Sequence, residues 1–197
     1  MNKFNVILYA DFETLDACGP AEVIGYLQDL YALGYYSANG GVVESRHGLK
    51  THTLPFSEID STGVLLIPGG IGARSLVGDQ EYLRQIKSIA EKAPYVLTVC
   101  TGSALLAKTG LLNGRKATSN KKSFTWASSN SAEVEWVKKA RWVVDGKYYT
   151  SSGVSAGIDM TLGFVSDLHG IAIAREIAEY IEYIWHTDKN NDPFAVD

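Results

Sequence analysis

The sequence predicts a three-layer α/β/α sandwich on a mostly parallel sheet. Two patterns carry that expectation: short continuous apolar runs closed by glycine or turn residues, and amphipathic helical stretches lying between them. A third observation is length, since 197 residues without a repeat or a linker-like stretch suit one domain spanning residues 1–197.

Asn5 to Ala10, Gly41 to Glu44, Val64 to Pro68 and Tyr95 to Val99 are the apolar runs, and all four read as strands covered on both faces. Gly19-Pro20 is expected to open a helix carrying Ala21, Val23, Ile24, Leu27 and Leu30, because a first-turn proline gives up an N–H that has no helical partner anyway. Asp79 to Lys92 is a second helix, with Leu83, Ile86, Ile89 and Ala90 on one stripe and Asp79 as N-cap. Ser103 to Lys108 reads as a short helix ended by Gly110. Trp142 to Tyr149 reads as a hairpin turning on Asp145-Gly146, antiparallel at a sheet edge. Ala156 to Leu168 and Ala172 to Trp185 follow as helices, the second with Ile173, Ile177, Tyr180, Ile181 and Ile184 on its apolar face.

Apolar residues at 46% and charged residues at 20% are globular proportions, far from those of a disordered chain. The net charge of −4, with Lys121-Lys122 and Lys138-Lys139 as isolated basic pairs, argues against a nucleic-acid partner. The opening apolar run is too short for a secretory leader or a membrane span, so the expectation is a cytoplasmic chain with no membrane partner. Two cysteines in dissimilar contexts fit a reducing compartment better than a disulfide framework. His47 and His52 fall on expected strands and His169 and His186 at the ends of separate helices, without metal-ligand spacing; neither a metal nor a cofactor is expected.

Ligands of open α/β sheets bind at the carboxyl ends of the strands. At one such end, Val99-Cys100-Thr101-Gly102-Ser103 has the strand–turn–helix context of a nucleophile elbow. A helix N-terminus there lowers a thiol pKa, so Cys100 is expected to be exposed and readily ionised; the plainer alternative is a small buried apolar side chain. At a second, Pro68-Gly69-Gly70-Ile71-Gly72 frees backbone N–H groups for an oxyanion, or is simply a glycine turn; neither GxxxxGK[ST] nor GxGxxG is present. At a third, Asp11, Glu13 and Asp16 would ordinarily form a solvated loop, but Asp16 precedes the expected helix start, where its carboxylate is stabilised or turned into a pocket. Cys18 beside it is expected to pack inertly.

Leu15-Asp16-x-x-Gly19-Pro20, Pro68-Gly69-Gly70 and Val99-Cys100-Thr101-Gly102, in that order, resemble the ThiJ/PfpI superfamily, a group with a flavodoxin-like, class I glutamine-amidotransferase-type fold. The likeness spans nearly the whole chain. Cys100-Thr101-Gly102-Ser103, the Leu-Asp-x-x-Gly-Pro motif and Gly153-Val154-Ser155-Ala156-Gly157-Ile158-Asp159 look like the isonitrile hydratase branch and the ligand domains of AraC-like regulators. The resemblance implies Cys100 as nucleophile, Asp16 as the acid facing it, Thr101 touching both, and amides at Gly70 and Ile71 as an anion pocket. Gly153 and Val154 are expected to line a pocket for a small-molecule substrate, and a homodimer is implied. Two departures stand out. Thr101 replaces the histidine of protease-like members, which argues against peptidase chemistry, and Asn120 replaces a histidine found after the strand that here reads Lys116 to Asn120. The implied reaction is hydration of an isonitrile; a redox or small-ligand sensor, and a glyoxalase or amidase needing a further base, are the alternatives.

Overall fold

The computed structural model describes residues 1–195; residues 196 and 197 of the expected domain lie outside the described residues. The first half of the chain forms β1 (Asn2–Ile7), α1 (Thr14–Gly25), β2 (Tyr31–Ser37), β3 (Asn39–Glu44), β4 (Lys50–Pro55), β5 (Val64–Ile67), α2 (Ala73–Leu76) and α3 (Gln80–Lys92). The second half forms β6 (Val96–Thr98), α4 (Gly102–Lys108), β7 (Lys116–Ala117), α5 (Phe124–Ser128), β8 (Glu135–Trp136), β9 (Trp142–Asp145), β10 (Tyr148–Ser151), α6 (Ala156–His169) and α7 (Ile171–Tyr180).

Eight strands join in the order β3-β4-β2-β1-β5-β6-β10-β9, with β7 and β8 paired separately. Pairing is parallel from β4 through β10 and antiparallel only at the edges, β3 on β4 and β9 on β10. Helices α1, α6 and α7 pack together, as do α2, α3 and α4, so the sheet lies between two helical layers in a flavodoxin-like α/β fold. This burial explains why the central runs do not alternate: all four residues of β5 and all three of β6 are buried. Strand order reverses at β1, which lies between β2 and β5, and a crevice is expected beyond the carboxyl ends there.

Several expectations need correction. Gly41 to Glu44 is not a doubly covered strand but part of the antiparallel edge strand β3, where Val42 is 55% exposed. β2 and β4 offer weaker signatures: glycine interrupts the apolar run of the first, and Thr53 is the one buried residue of the second. Helix α1 starts at Thr14 rather than Gly19, placing Pro20 inside it, and stops at Gly25 rather than Leu30. An internal proline costs about 3 kcal/mol, offset here by burial of Pro20 with Ala17, Ala21, Val23 and Ile24. The hairpin turns one residue later than expected, because Asp145 pairs with Tyr148 and leaves Gly146-Lys147 as the turn, Gly146 at φ +60°. Helix α7 ends at Tyr180 instead of Trp185; Glu182 takes φ +51° and the Tyr183 N–H reaches back to the Ala178 carbonyl at 2.8 Å. Only Lys116–Ala117 of the stretch to Asn120 is strand, and His47 lies in a turn. The Asp79 cap is present, its Oδ1 accepting from the Glu81 and Tyr82 N–H groups, each at 3.0 Å. Among the described residues no helix is long and apolar enough to cross a membrane.

Candidate active site

β6 ends one residue short of Val99, and the chain then turns sharply through Cys100 at φ +56° before α4 begins at Gly102. A side chain in that left-handed region costs on the order of 1–3 kcal/mol and persists only where the surroundings fix it. They do so from four sides. The Cys100 N–H donates to the Ser152 carbonyl at 3.0 Å, Ser103 and Ser119 Oγ donate to the Cys100 carbonyl at 2.9 and 2.8 Å, and the Gly102 N–H donates to the Val99 carbonyl at 2.9 Å. Only glycine fits next in the turn, since a Cβ on Gly102 would lie 2.3 Å from the Ile67 carbonyl oxygen. Opposite, Val154 is also held at positive φ, +37°.

Asp16 sits in the first turn of α1, fully buried, rather than on a loop ahead of the helix. Its Oδ2 accepts from the Gly69 N–H at 2.9 Å. Oδ1 has no hydrogen-bond partner among the described residues. The Cys100 thiol is its side-chain neighbour and favours the carboxylate form. Gly69 makes this convergence possible: a Cβ there would fall 2.6 Å from Thr101 N, 2.7 Å from Thr101 Oγ1 and 2.8 Å from Asp16 Oδ2. The four sequence-selected positions Asp16, Gly70, Cys100 and Thr101 are thus brought together by strand ends β1, β5 and β6.

Electrostatics reverse the expectation of an exposed, readily ionised thiol. Cys100 is 7% exposed, and burial, followed by the Asp16 carboxylate, pushes its pKa far above the ordinary thiol range. The Thr101 N–H and hydroxyl and the Val154 N–H pull the other way without overcoming it. Asp16 is itself raised well above 3.8, by burial first and by Glu13, against the Gly69 N–H and the thiol. Two buried acids side by side cannot both ionise at neutral pH, so the pair holds at least one proton between them. Cys18, expected to pack inertly, is exposed on α1.

The anion pocket also differs from its expected form. The Gly70 N–H is spent on Thr101 Oγ1 at 3.0 Å, whereas the Ile71 N–H has no acceptor among the described residues and its side chain is 46% exposed. Cys100 opens into a cavity of about 320 Å³ lined by Gly70, Ile71, Thr101, Asn120 and Val154. A wider cavity of about 470 Å³, lined by Gly153, Ser155 and Phe194, adjoins it through Asn120, Lys122 and Val154. The Cys100 thiol lies in the smaller one. Glu13, Arg46, Arg74, Lys122 and Ser123 complete its lining, residues that the sequence reading did not single out as lining; no pattern links them, since they come from the start of α1, the turn after β3, α2 and the loop before α5. No histidine lines it, and among the described residues no three His, Cys, Asp or Glu side chains cluster as metal ligands would.

Comparison with known proteins places this geometry. The chain is 32% identical to isonitrile hydratase of Pseudomonas putida over 92% of its own length and 78% of that protein. It is 27% identical to the HTH-type transcriptional regulator CdhR of Pseudomonas aeruginosa, covering 77% of this chain but 45% of the regulator. A solved ThiJ/PfpI family protein from Pseudomonas syringae superposes with a TM-score of 0.80 at 28% identity, covering 92% of this chain and 75% of that one. The model of the DJ-1/PfpI family matches residues 2–167, which include every element that brings Asp16, Gly69, Cys100 and Val154 together, and the chain belongs to that family.

Proposed function

We propose that the chain is a cysteine-dependent lyase that hydrates a small isonitrile to an N-substituted formamide. The observation that carries this reading is the pairing of Cys100, strained at φ +56° on a cavity floor, with a buried Asp16 whose Oδ1 is unpartnered. The identity to isonitrile hydratase supports it.

In the proposed mechanism the shared proton moves to Asp16 as Cys100 becomes the thiolate. Sulfur attacks the terminal isonitrile carbon, an S–C bond forms, and the carbanion-like carbon takes the proton from Asp16. The product is a thioimidate. Asp16, now a carboxylate, takes a proton from the water that adds to the same carbon and passes it to the nitrogen; the C–S bond then breaks as the carbonyl forms, and the hydroxyl proton returns to the sulfur–carboxyl pair. Water is consumed and no redox change occurs. The Ile71 N–H and the Val154 N–H face charge at the cavity, Gly70 and Thr101 shape it, and Gly153 lines the wider cavity beside it. By the family resemblance, the working species is a cytoplasmic homodimer.

Formamide formation from an alkyl isonitrile by the purified protein tests the reading, with Cys100→Ser as the partner experiment. Serine is scarcely ionised without an adjacent base, so that variant is expected to form no adduct by mass spectrometry and no product. Undiminished product from Cys100→Ser rejects covalent catalysis. A second reading, a non-catalytic sensor, is supported by the likeness to a regulator; it is favoured if no isonitrile is converted while peroxide oxidises Cys100 selectively.

A further inference from the structure

We propose that the substrate of the Cys100 cavity carries a carboxylate, which Arg46 and Arg74 receive at the rim while the neutral reacting end points to the cysteine. This rests on the cysteine chemistry proposed above and specifies the substrate class, an isocyano carboxylate.

The lining is unbalanced in charge. Arg46, Arg74 and Lys122 face the cavity against one carboxylate, Glu13, whose ion-pair contact is with His47 at 3.6 Å. Among the described residues no ion pair engages any of the three cations. They are not a run of surface lysines: they come from the turn after β3, from α2 and from the loop before α5, so only the fold assembles them.

The Arg74 side chain is also fixed in place, and the backbone of Arg46 is tied to the fold. The Arg74 guanidinium lies 4.4 Å over the Trp126 ring, and its backbone N–H donates to the Ile71 carbonyl at 3.0 Å. Stacking on the ring leaves the edge of the guanidinium free to grip a carboxylate bidentately. The Arg46 N–H donates to the Phe12 carbonyl at 3.0 Å, tying that turn to the strand end that leads to Asp16.

On the floor lie two buried acids, Cys100 and Asp16, with Oδ1 lacking a partner, and no cation. A substrate carboxylate is therefore drawn to the cationic rim, which fixes the direction of binding. About 320 Å³ is at the small end of ligand cavities. That volume suits a short molecule with its charge at one end.

Alkylation with iodoacetate and iodoacetamide tests the proposal independently of turnover. In both, sulfur displaces iodide and one S–C bond replaces one C–I bond; the reagents differ by a carboxylate. Exposed Cys18 is an internal reference read from the same peptide map. The expected result is an iodoacetate-to-iodoacetamide rate ratio higher at Cys100 than at Cys18, falling about tenfold in Arg74→Gln and Arg46→Gln, with the Cys18 ratio unmoved. Equal ratios at the two cysteines, or a Cys100 ratio indifferent to both substitutions, overturn it. If neither reagent reaches Cys100, titration with propionate and propionamide, followed by the amide resonances of Thr101, Asn120 and Val154, decides: saturation by propionate alone supports the proposal, and equal or absent responses overturn it. Loss of isonitrile turnover with the anion preference intact rejects the reaction but not the substrate charge. Turnover of neutral isonitriles with a flat preference rejects the charge but not the reaction.

Discussion

The Gly70 N–H donates to Thr101 Oγ1 at 3.0 Å, and the same hydroxyl donates back to the Gly70 carbonyl at 3.2 Å. This reciprocal bond clamps the β5 turn to the β6 turn directly above the Cys100–Asp16 pair. Thr101→Val keeps the shape and leaves the Gly70 N–H without its acceptor, while the Gly70 carbonyl still accepts from the Ala73 N–H at 3.2 Å. One unpaired donor costs about 1–3 kcal/mol, so a stability loss in that range is expected in urea titrations, together with lower turnover. Thr101→Ser restores the hydroxyl and should recover most of both. A valine variant as stable as the parent would leave the clamp without energetic weight.

The thiols should react in the order opposite to the one that the turn motif alone suggests. Cys18 is exposed, whereas Cys100 is 7% exposed and held far above the ordinary thiol pKa by burial and by Asp16. Because the thiolate is the reacting form, neutral iodoacetamide at pH 7 is expected to label Cys18 first. Peptide mapping over time measures both rates, and faster labelling of Cys100 would show that its N–H contacts outweigh desolvation.

The sheet core was legible because β5 and β6 are buried on both faces and leave unbroken apolar runs. The three strand-end motifs were legible too, since turns that must let backbones touch at Gly69 and Gly102 restrict residue choice. Ionisation state was not. Whether a helix terminus lowers a thiol pKa or burial raises it depends on how deeply the fold packs around Cys100, and then on Asp16, which lies far away in sequence on a helix whose start Pro20 disguised. The rim cations were equally silent: Arg46 and Arg74 look like any surface arginines until Trp126 and the loop crossings place them.

Asp192, buried at 2% exposure, holds the C-terminal segment to the body of the fold. Its Oδ1 lies 3.5 Å from Arg141 Nη1 and its Oδ2 3.9 Å from Lys121 Nζ, while its N–H donates to the Lys139 carbonyl at 2.7 Å. Arg141 is shared with Asp159, to which its Nε donates at 2.9 Å. Lys121 is lowered to about 8 by burial, with Asp192 pulling it up and Arg141 pushing it down. Asp192→Ala strips one carboxylate from two buried cations, a loss of about 3 kcal/mol by analogy with broken buried pairs. Limited proteolysis should then cut between residues 187 and 195 faster than in the parent, freeing Phe194 from the wider cavity. Unchanged protection in that segment would show that Asp159 and the backbone bonds hold it alone.

Asp16→Asn separates the electrostatic role of the carboxyl from its proton-transfer role. Asp16 binds its proton more tightly in the folded protein than its ordinary value near 3.8 allows, chiefly through burial. Between that value and the raised one, the native state therefore holds more protons than the unfolded chain, and stability falls as pH rises through the window. Asparagine carries no such proton, so the variant's stability relative to the parent is expected to increase from about pH 4 towards neutrality. Urea titrations of both proteins across that range measure the difference, and a pH-independent difference would exclude a raised Asp16. The substitution also removes the carboxylate that raises Cys100, so thiolate absorbance should appear at lower pH than in the parent. Yet turnover of an isonitrile should drop by about 10²–10⁴-fold, the usual contribution of a positioned general acid, because asparagine cannot protonate the nascent carbanion. Easier ionisation combined with slower catalysis is the outcome that a merely structural Asp16 does not produce; ionisation and turnover moving together in the same direction would assign the proton to another group.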